Sequence, residues 1–185
     1  MFRLGFVIAI ALLLWLQSCF TLTTHVVDGE QHVFRYGVVA WTFLAAFAGI
    51  MLAFAWLAWQ PLKDKLLGGF LLAATPVLMA LLAPQLLYER VELTNDLLIH
   101  RREWPHTRFN ADIAWSDMLT ATQLNLEDNS FGKKYIVGYE IHTRNGRVYE
   151  LPSNTVLTAA SETINARLAE RKIATMIEIK QRQAR

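Results

Sequence analysis

Cysteine is nearly absent from this chain: Cys19 stands alone in 185 residues. One thiol builds neither an internal disulfide framework nor a zinc site of several thiolates. Charge is almost as scarce at the amino-terminal end. Residues 1–88 hold four basic side chains and three acidic ones, so 14 of the 18 Lys and Arg and 13 of the 16 Asp and Glu lie downstream. That near balance leaves no domain-wide positive field, which excludes nucleic-acid binding driven by net charge. A glycine-rich phosphate loop is missing, and so is a glycine-flanked nucleophile around Ser116 or Ser130. His100, His106 and His142 form no i, i+4 pair on a helix; His100 and His142 fall on expected strands, where a solvated or hydrogen-bonded imidazole is the ordinary state. No catalytic residue, metal, cofactor or small-molecule substrate is expected.

Apolar residues are what the chain has in excess, at 54%, with a mean hydropathy of +0.25. Three runs carry most of it: Leu4–Leu22, Tyr36–Trp59 and Leu66–Leu87. Each approaches or exceeds the roughly 20 helical residues that a bilayer core requires. None contains a charge or the polar stripe at 3.6-residue spacing that a buried helix of a soluble protein would show. The sequence thus predicts a transmembrane region over 1–87 with three helices. The short link Gln60–Lys65 makes the second and third an antiparallel hairpin, with Pro61 ending the first of the two. Trp56 and Trp59 would lie at one interface. Ala45, Gly49 and Ala53 recur every fourth residue and offer a face for helix–helix association.

The first run raises a separate question, because Leu16 followed by Ser18-Cys19 resembles a lipoprotein cleavage site. Arg3 and the apolar stretch to Leu16 suit a leader peptide. Gln17 is bulky where a small residue belongs, and Phe20 and Leu22 continue the apolar run past Cys19. An uncut helix without lipid on Cys19 is expected. With Arg3, Lys63 and Lys65 in the cytoplasm, Arg35, Arg90, Arg101 and Arg102 lie on the opposite face, a count of three against four. Giving more weight to the two lysines of the tight turn than to arginines on expected strands places everything after the third helix outside the cytoplasm.

From Tyr88 onward the pattern becomes short alternating strands with turn signals. YERVELT and LLIHR flank Asn95-Asp96. FNADIAW and MLTATQLNL meet at Ser116-Asp117, and EDNSFG follows as a loop. KYIVGYEIHT, with Tyr135, Val137, Tyr139 and Ile141 on one face, returns through Asn145-Gly146, for which a type I′ turn is expected, into RVYEL. Pro152-Ser153-Asn154 ends the sheet, and Ala160, Ile164 and Leu168 mark one stripe of a closing helix.

This order, with "IAWSDM" in mid-domain, the N-G hairpin, the "ELPSN" exit and the closing helix, resembles bacterial membrane-anchored pleckstrin-homology-like domains. The resemblance covers residues 88–172. It implies a small α+β domain, a bent antiparallel sheet capped by a C-terminal helix, with binding or assembly roles rather than catalysis. It also implies a multi-pass protein of the bacterial inner membrane, whose domain would face the periplasm by the charge argument above. Lipid-headgroup binding does not carry over, because the first hairpin turn, Asn95-Asp96, has no basic cluster.

Residues 173–185 read as a basic tail. Partner-binding candidates are Trp104, a loop tryptophan beside Pro105, and Lys133, Lys134, Arg144 and Arg147, which are expected to share one end of the final hairpin. Besides the bilayer itself, the expected partner is a protein. A membrane immunity or exclusion protein acting against a toxin or conjugation partner fits the same features.

Overall fold

Thr23, Thr24, Val26 and Val27 are β-branched, and a strand accommodates such residues better than a helix does. The chain follows that preference. In the computed structural model, which describes residues 2–18, 20–60, 65–104, 107–128, 133–152 and 154–181, helix α1 (Phe2–Ser18) stops short of the expected Leu22 and strand β1 (Thr23–Asp28) begins. Strand β2 (Gln31–Tyr36) returns from it, and helices α2 (Val38–Trp59) and α3 (Lys65–Tyr88) follow, within two residues of the expected bounds. Beyond them come β3 (Arg90–Leu93), β4 (Leu97–Trp104), β5 (Thr107–Ala114), a 3-10 turn (Trp115–Asp117), β6 (Met118–Asp128), β7 (Lys133–Thr143), β8 (Val148–Pro152), α4 (Thr155–Glu170) and β9 (Ala174–Gln181). The fold is α+β, with four helices and two sheets among the described residues.

The chain divides into a helical unit (1–24, 36–89, 103–107) and a sheet unit (25–35, 90–102, 108–185). In the helical unit, α2 and α3 are long and apolar enough to cross a membrane, each with a mean hydropathy of 2.2. Only 22% and 17% of their most apolar windows are buried. Apolar side chains point outward instead, among them Leu66, Phe70 and Trp56. Where the two helices meet, Met51, Ala55 and Leu71 are buried, with Phe6 and Phe54 packed edge-on at 5.0 Å beside them. Gly68 permits the close approach: a Cβ there would lie 3.0 Å from the Ala55 carbonyl oxygen and 3.2 Å from the Trp59 nitrogen. The contact therefore runs through Ala55 and Gly68, while Ala45, Gly49 and Ala53 face outward. Gly37, just before α2, is required for a similar reason, since a Cβ would meet the Thr24 hydroxyl.

The sheet unit starts from an unexpected place. The β1–β2 hairpin, encoded between α1 and α2, joins the sheet that continues after α3. β2 pairs antiparallel with β3 (Val33 with Glu92, Phe34 with Val91), and the sheet order is β1-β2-β3-β4-β5. Phe34 is buried, and so are Val91, Leu93 and Leu98. The second sheet, in the order β8-β7-β6-β9, has one parallel pair, β6 with β9. Ala174–Gln181 is thus a strand rather than a tail: Met176, Ile177 and Ile179 supply the β-propensity that the neighbouring basic residues obscured. Val156, Leu157, Ala160, Ile164 and Leu168 of α4 are at most 1% exposed, the stripe expected from their spacing.

Turn chemistry differs at the β7–β8 hairpin. A type I′ turn needs positive φ at both central residues, but only Gly146 has it, at +78°; Asn145 does not. The connection is a three-residue turn, with the Gly146 amide donating to the Thr143 carbonyl at 3.0 Å. The Thr143 hydroxyl donates to Asn145 Oδ1 at 2.6 Å, and the Arg147 amide donates to the same oxygen at 3.1 Å, fixing the alternative geometry.

Candidate functional site

The segment Ile113–Asp117 links three parts of the sheet unit. Ile113 and Trp115 are 2% exposed. The Trp115 indole donates to the Thr94 carbonyl at 3.0 Å, and the Trp115 amide donates to the Asp96 carbonyl at 3.0 Å, which holds the β3–β4 turn. The Asp117 carbonyl accepts from the Arg144 amide at 2.8 Å and brings the β7–β8 turn to the same place. Helix α4 ends there too. Its last turn closes with the Lys172 amide on the Ala169 carbonyl and the Ile173 amide on the Leu168 carbonyl, both at 3.0 Å. This double closure puts the residue after the cap in the left-handed region, where glycine is usual. Here that residue is Lys172, at φ +56°.

Between these ends lies a cavity of about 370 Å³. Trp115 and Met118 are its buried members; Ser116, Arg144, Arg171 and Lys172 supply polar groups. Arg171 also donates to the Asn95 carbonyl, which ties α4 to the β3–β4 turn. Arg167, one turn earlier, donates to the Glu30 carbonyl at 3.0 Å and pairs with Glu170 at 3.2 Å. Asn95 donates to the Glu30 carboxylate. The tip of the β1–β2 hairpin is fastened to the domain by these contacts.

Two ionisable groups in the interior serve the same helix. His100, fully buried on β4, takes a hydrogen bond at Nε2 from the Asn154 amide at 3.2 Å, while Asn154 Oδ1 caps α4 by accepting from the Leu157 amide. Burial pushes the His100 imidazole down to about 4, and Arg102 and Arg101 add to the effect. Tyr139, on β7, hydrogen-bonds with Asn165 Oδ1 at 3.2 Å and the Ser161 carbonyl at 3.3 Å, and burial raises its hydroxyl well above the usual tyrosine range. On the hairpin, His25 and His32 are stacked and joined Nε2 to Nδ1 at 2.9 Å, with His25 also stacked on Phe34 at 4.1 Å. Burial, then His25, then Arg167 lower the His32 value.

The sequence candidates separate. His142 contacts Glu140 at 2.7 Å on β7, in a different sheet from His100. His106 lies outside the described residues. Among the described residues no group of three or more His, Cys, Asp or Glu is placed to hold a metal ion. Lys133 and Lys134 do not share an end with Arg144 and Arg147. They begin β7, opposite Asp128 and Glu127, whereas Arg144 and Arg147 follow its last residue, Thr143. At about 3.3 Å per residue an 11-residue strand keeps the two pairs about 30 Å apart. Arg144 instead joins Arg171 and Lys172. Trp104 closes β4, and its side chain, like those of Lys133 and Lys134, lies outside the described residues.

The αL lysine and the meeting of Arg144 with Arg171 depend on tertiary closure, so only the excess of basic residues at the end of α4 could have signalled them. No protein-family model matches the chain, and no curated protein matches it.

Proposed function

We propose that this chain is an integral membrane protein that displays a non-enzymatic, pleckstrin-homology-like domain as an interaction or assembly module at the surface of a bacterial inner membrane. One observation carries the reading: the sheet unit pairs β2, encoded before α2, with β3, encoded after α3. Strands that pair must lie on one side of a bilayer, so the chain between them makes an even number of crossings. α2 and α3, apolar all round and exposing that surface, supply two. Such helices suit lipid rather than water. Counting α1 as a third crossing puts residue 2 on the opposite side, and by the charge argument the domain faces the periplasm.

The order of elements supports the family reading. Four strands of one sheet (β2–β5) are followed by three more (β6–β8) and a helix, with β1 and β9 as additions at the sheet edges. A binding role is supported by the exposed apolar residues Met176, Ile177 and Ile179 on the edge strand β9. An edge strand leaves one row of backbone donors and acceptors for a partner.

Crosslinking in living cells followed by pull-down tests the module. A partner captured by wild type should be lost with Trp104→Ala, with Lys133→Glu/Lys134→Glu or with Ile177→Lys. Capture unaffected by all three, together with activity abolished by His142→Ala, would overturn the reading. A captured toxin or conjugation protein would turn it towards immunity or exclusion.

A further inference from the structure

We propose that the cavity at the end of α4 binds a phosphate group, presented by a phosphate monoester. Four residues with donor side chains line it from three separate segments: Ser116 from the 3-10 turn, Arg144 from the β7–β8 turn, and Arg171 and Lys172 from the end of α4. No carboxylate lines it, and among the described residues no ion pair joins Arg144, Arg171 or Lys172 to an acid. Glu170, beside Arg171, is engaged by Arg167.

Arg144, Arg171 and Lys172 are exposed and bring three positive charges to one cavity whose lining offers no counter-charge. A doubly charged oxyanion supplies that counter-charge and accepts from such donors. Guanidinium groups match the spacing of phosphate oxygens, and the buried Trp115 and Met118 place an apolar boundary beside the charges. The volume falls within the range of small-ligand sites.

Lys172 adds an independent reason. Cations near a helix C-terminus interact favourably with the helix dipole, and that alone would account for Arg171. It does not account for a lysine in the left-handed region, where glycine would avoid the cost that a Cβ brings. A lysine side chain in that position serves the cavity it lines. Strain of this kind is characteristic of binding and catalytic sites.

The phosphate can belong to a soluble ester or to a lipid headgroup, and the test separates these sources. The full chain in neutral detergent is titrated calorimetrically with inorganic phosphate, with dihexanoyl phosphatidic acid and with dihexanoyl phosphatidylcholine, for wild type, Arg144→Ala and Lys172→Gly. Saturable binding of inorganic phosphate is expected, weakened about tenfold or more in each variant. Phosphatidic acid binding more tightly than inorganic phosphate, with no binding of phosphatidylcholine, assigns the site to a lipid; equal affinities assign it to a soluble ester. Thermal melting without ligand supplies the second readout: Lys172→Gly should melt higher than wild type while binding more weakly, a combination that a purely structural lysine would not give. Absence of saturable phosphate binding at about 10 mM, or unchanged binding in both variants, overturns the proposal.

Discussion

Replacing His100 with glutamine should change how the stability of the sheet unit depends on pH. The Asn154 side chain has its oxygen committed to the Leu157 amide, so its NH2 group donates to His100 Nε2. That nitrogen must be unprotonated, and the buried ring is neutral. Its value falls from the ordinary 6.5 in the unfolded chain to about 4 in the fold, chiefly through burial. Between these values the unfolded state binds more protons than the folded one, so stability rises with pH across the window. The contribution is complete above about pH 6.5, is lost progressively as pH falls to about 4, and does not change further below that. A shift of this size corresponds to about 3 kcal/mol, at about 1.4 kcal/mol per pH unit. His100→Gln keeps an acceptor for Asn154 and removes the titration. Urea unfolding of the full chain in neutral detergent, followed by the signal of the sheet unit at a series of pH values, gives the test. The stability difference, wild type minus variant, should fall by about 3 kcal/mol from pH 7 to pH 4, with the titrations of the carboxylates cancelling. A difference that stays flat across this range would refute the buried neutral imidazole and its role in holding the α4 cap.

Phe34→Ala, in the strand encoded between two apolar helices, should destabilise the sheet unit by about 3–4 kcal/mol, because the ring is buried in that unit's core; a surface loop would show almost no effect in the same unfolding experiment. Gly68→Leu should separate α2 from α3, since even a Cβ would lie 3.0 Å from the Ala55 carbonyl oxygen. Distance measurement between spin labels on the two helices should show the separation, whereas Gly49→Leu, with open space around it, should leave them in place. Cys19 is expected to carry no lipid, and the intact mass of membrane-extracted protein should match the uncut chain; a mature chain starting at Cys19 with added acyl mass contradicts this.

Much of the fold was legible in residue patterning. Absence of charge and of any polar stripe located α2 and α3 almost to the residue. The spacing of Ala160, Ile164 and Leu168 found the buried face of α4, and alternation found β3 through β8. What escaped depends on long-range pairing. HVVDGEQHVFRY carries a hairpin signal, with Gly29 at φ +59° in a two-residue turn, yet its strand partner lies beyond two apolar helices, so local patterning leaves it inside the transmembrane region of residues 1–87. β9 falls in a stretch expected as a tail from the six basic residues between Arg167 and Arg185, although Ile177 and Ile179 have strand character. The candidate site fared worse. Arg144 and Arg147, three residues apart on one turn, do stay together, but the 11-residue length of β7 separates Lys133 and Lys134 from them. The cationic cavity brings together turns and a helix end far apart in the chain, and no local pattern encodes that meeting.

Labelling from the two sides of the membrane tests the central claim most directly. In a Cys19→Ser background, single cysteines are placed at Asp28 on the β1–β2 hairpin, at Arg147 beyond the β7–β8 turn, and at Gln60 at the end of α2, all exposed positions. A membrane-impermeant maleimide added to intact spheroplasts should label Asp28→Cys and Arg147→Cys and leave Gln60→Cys unreacted until the membrane is opened. Labelling of Asp28→Cys and Arg147→Cys from opposite sides would contradict the account, because β2 and β3 could not then belong to one sheet.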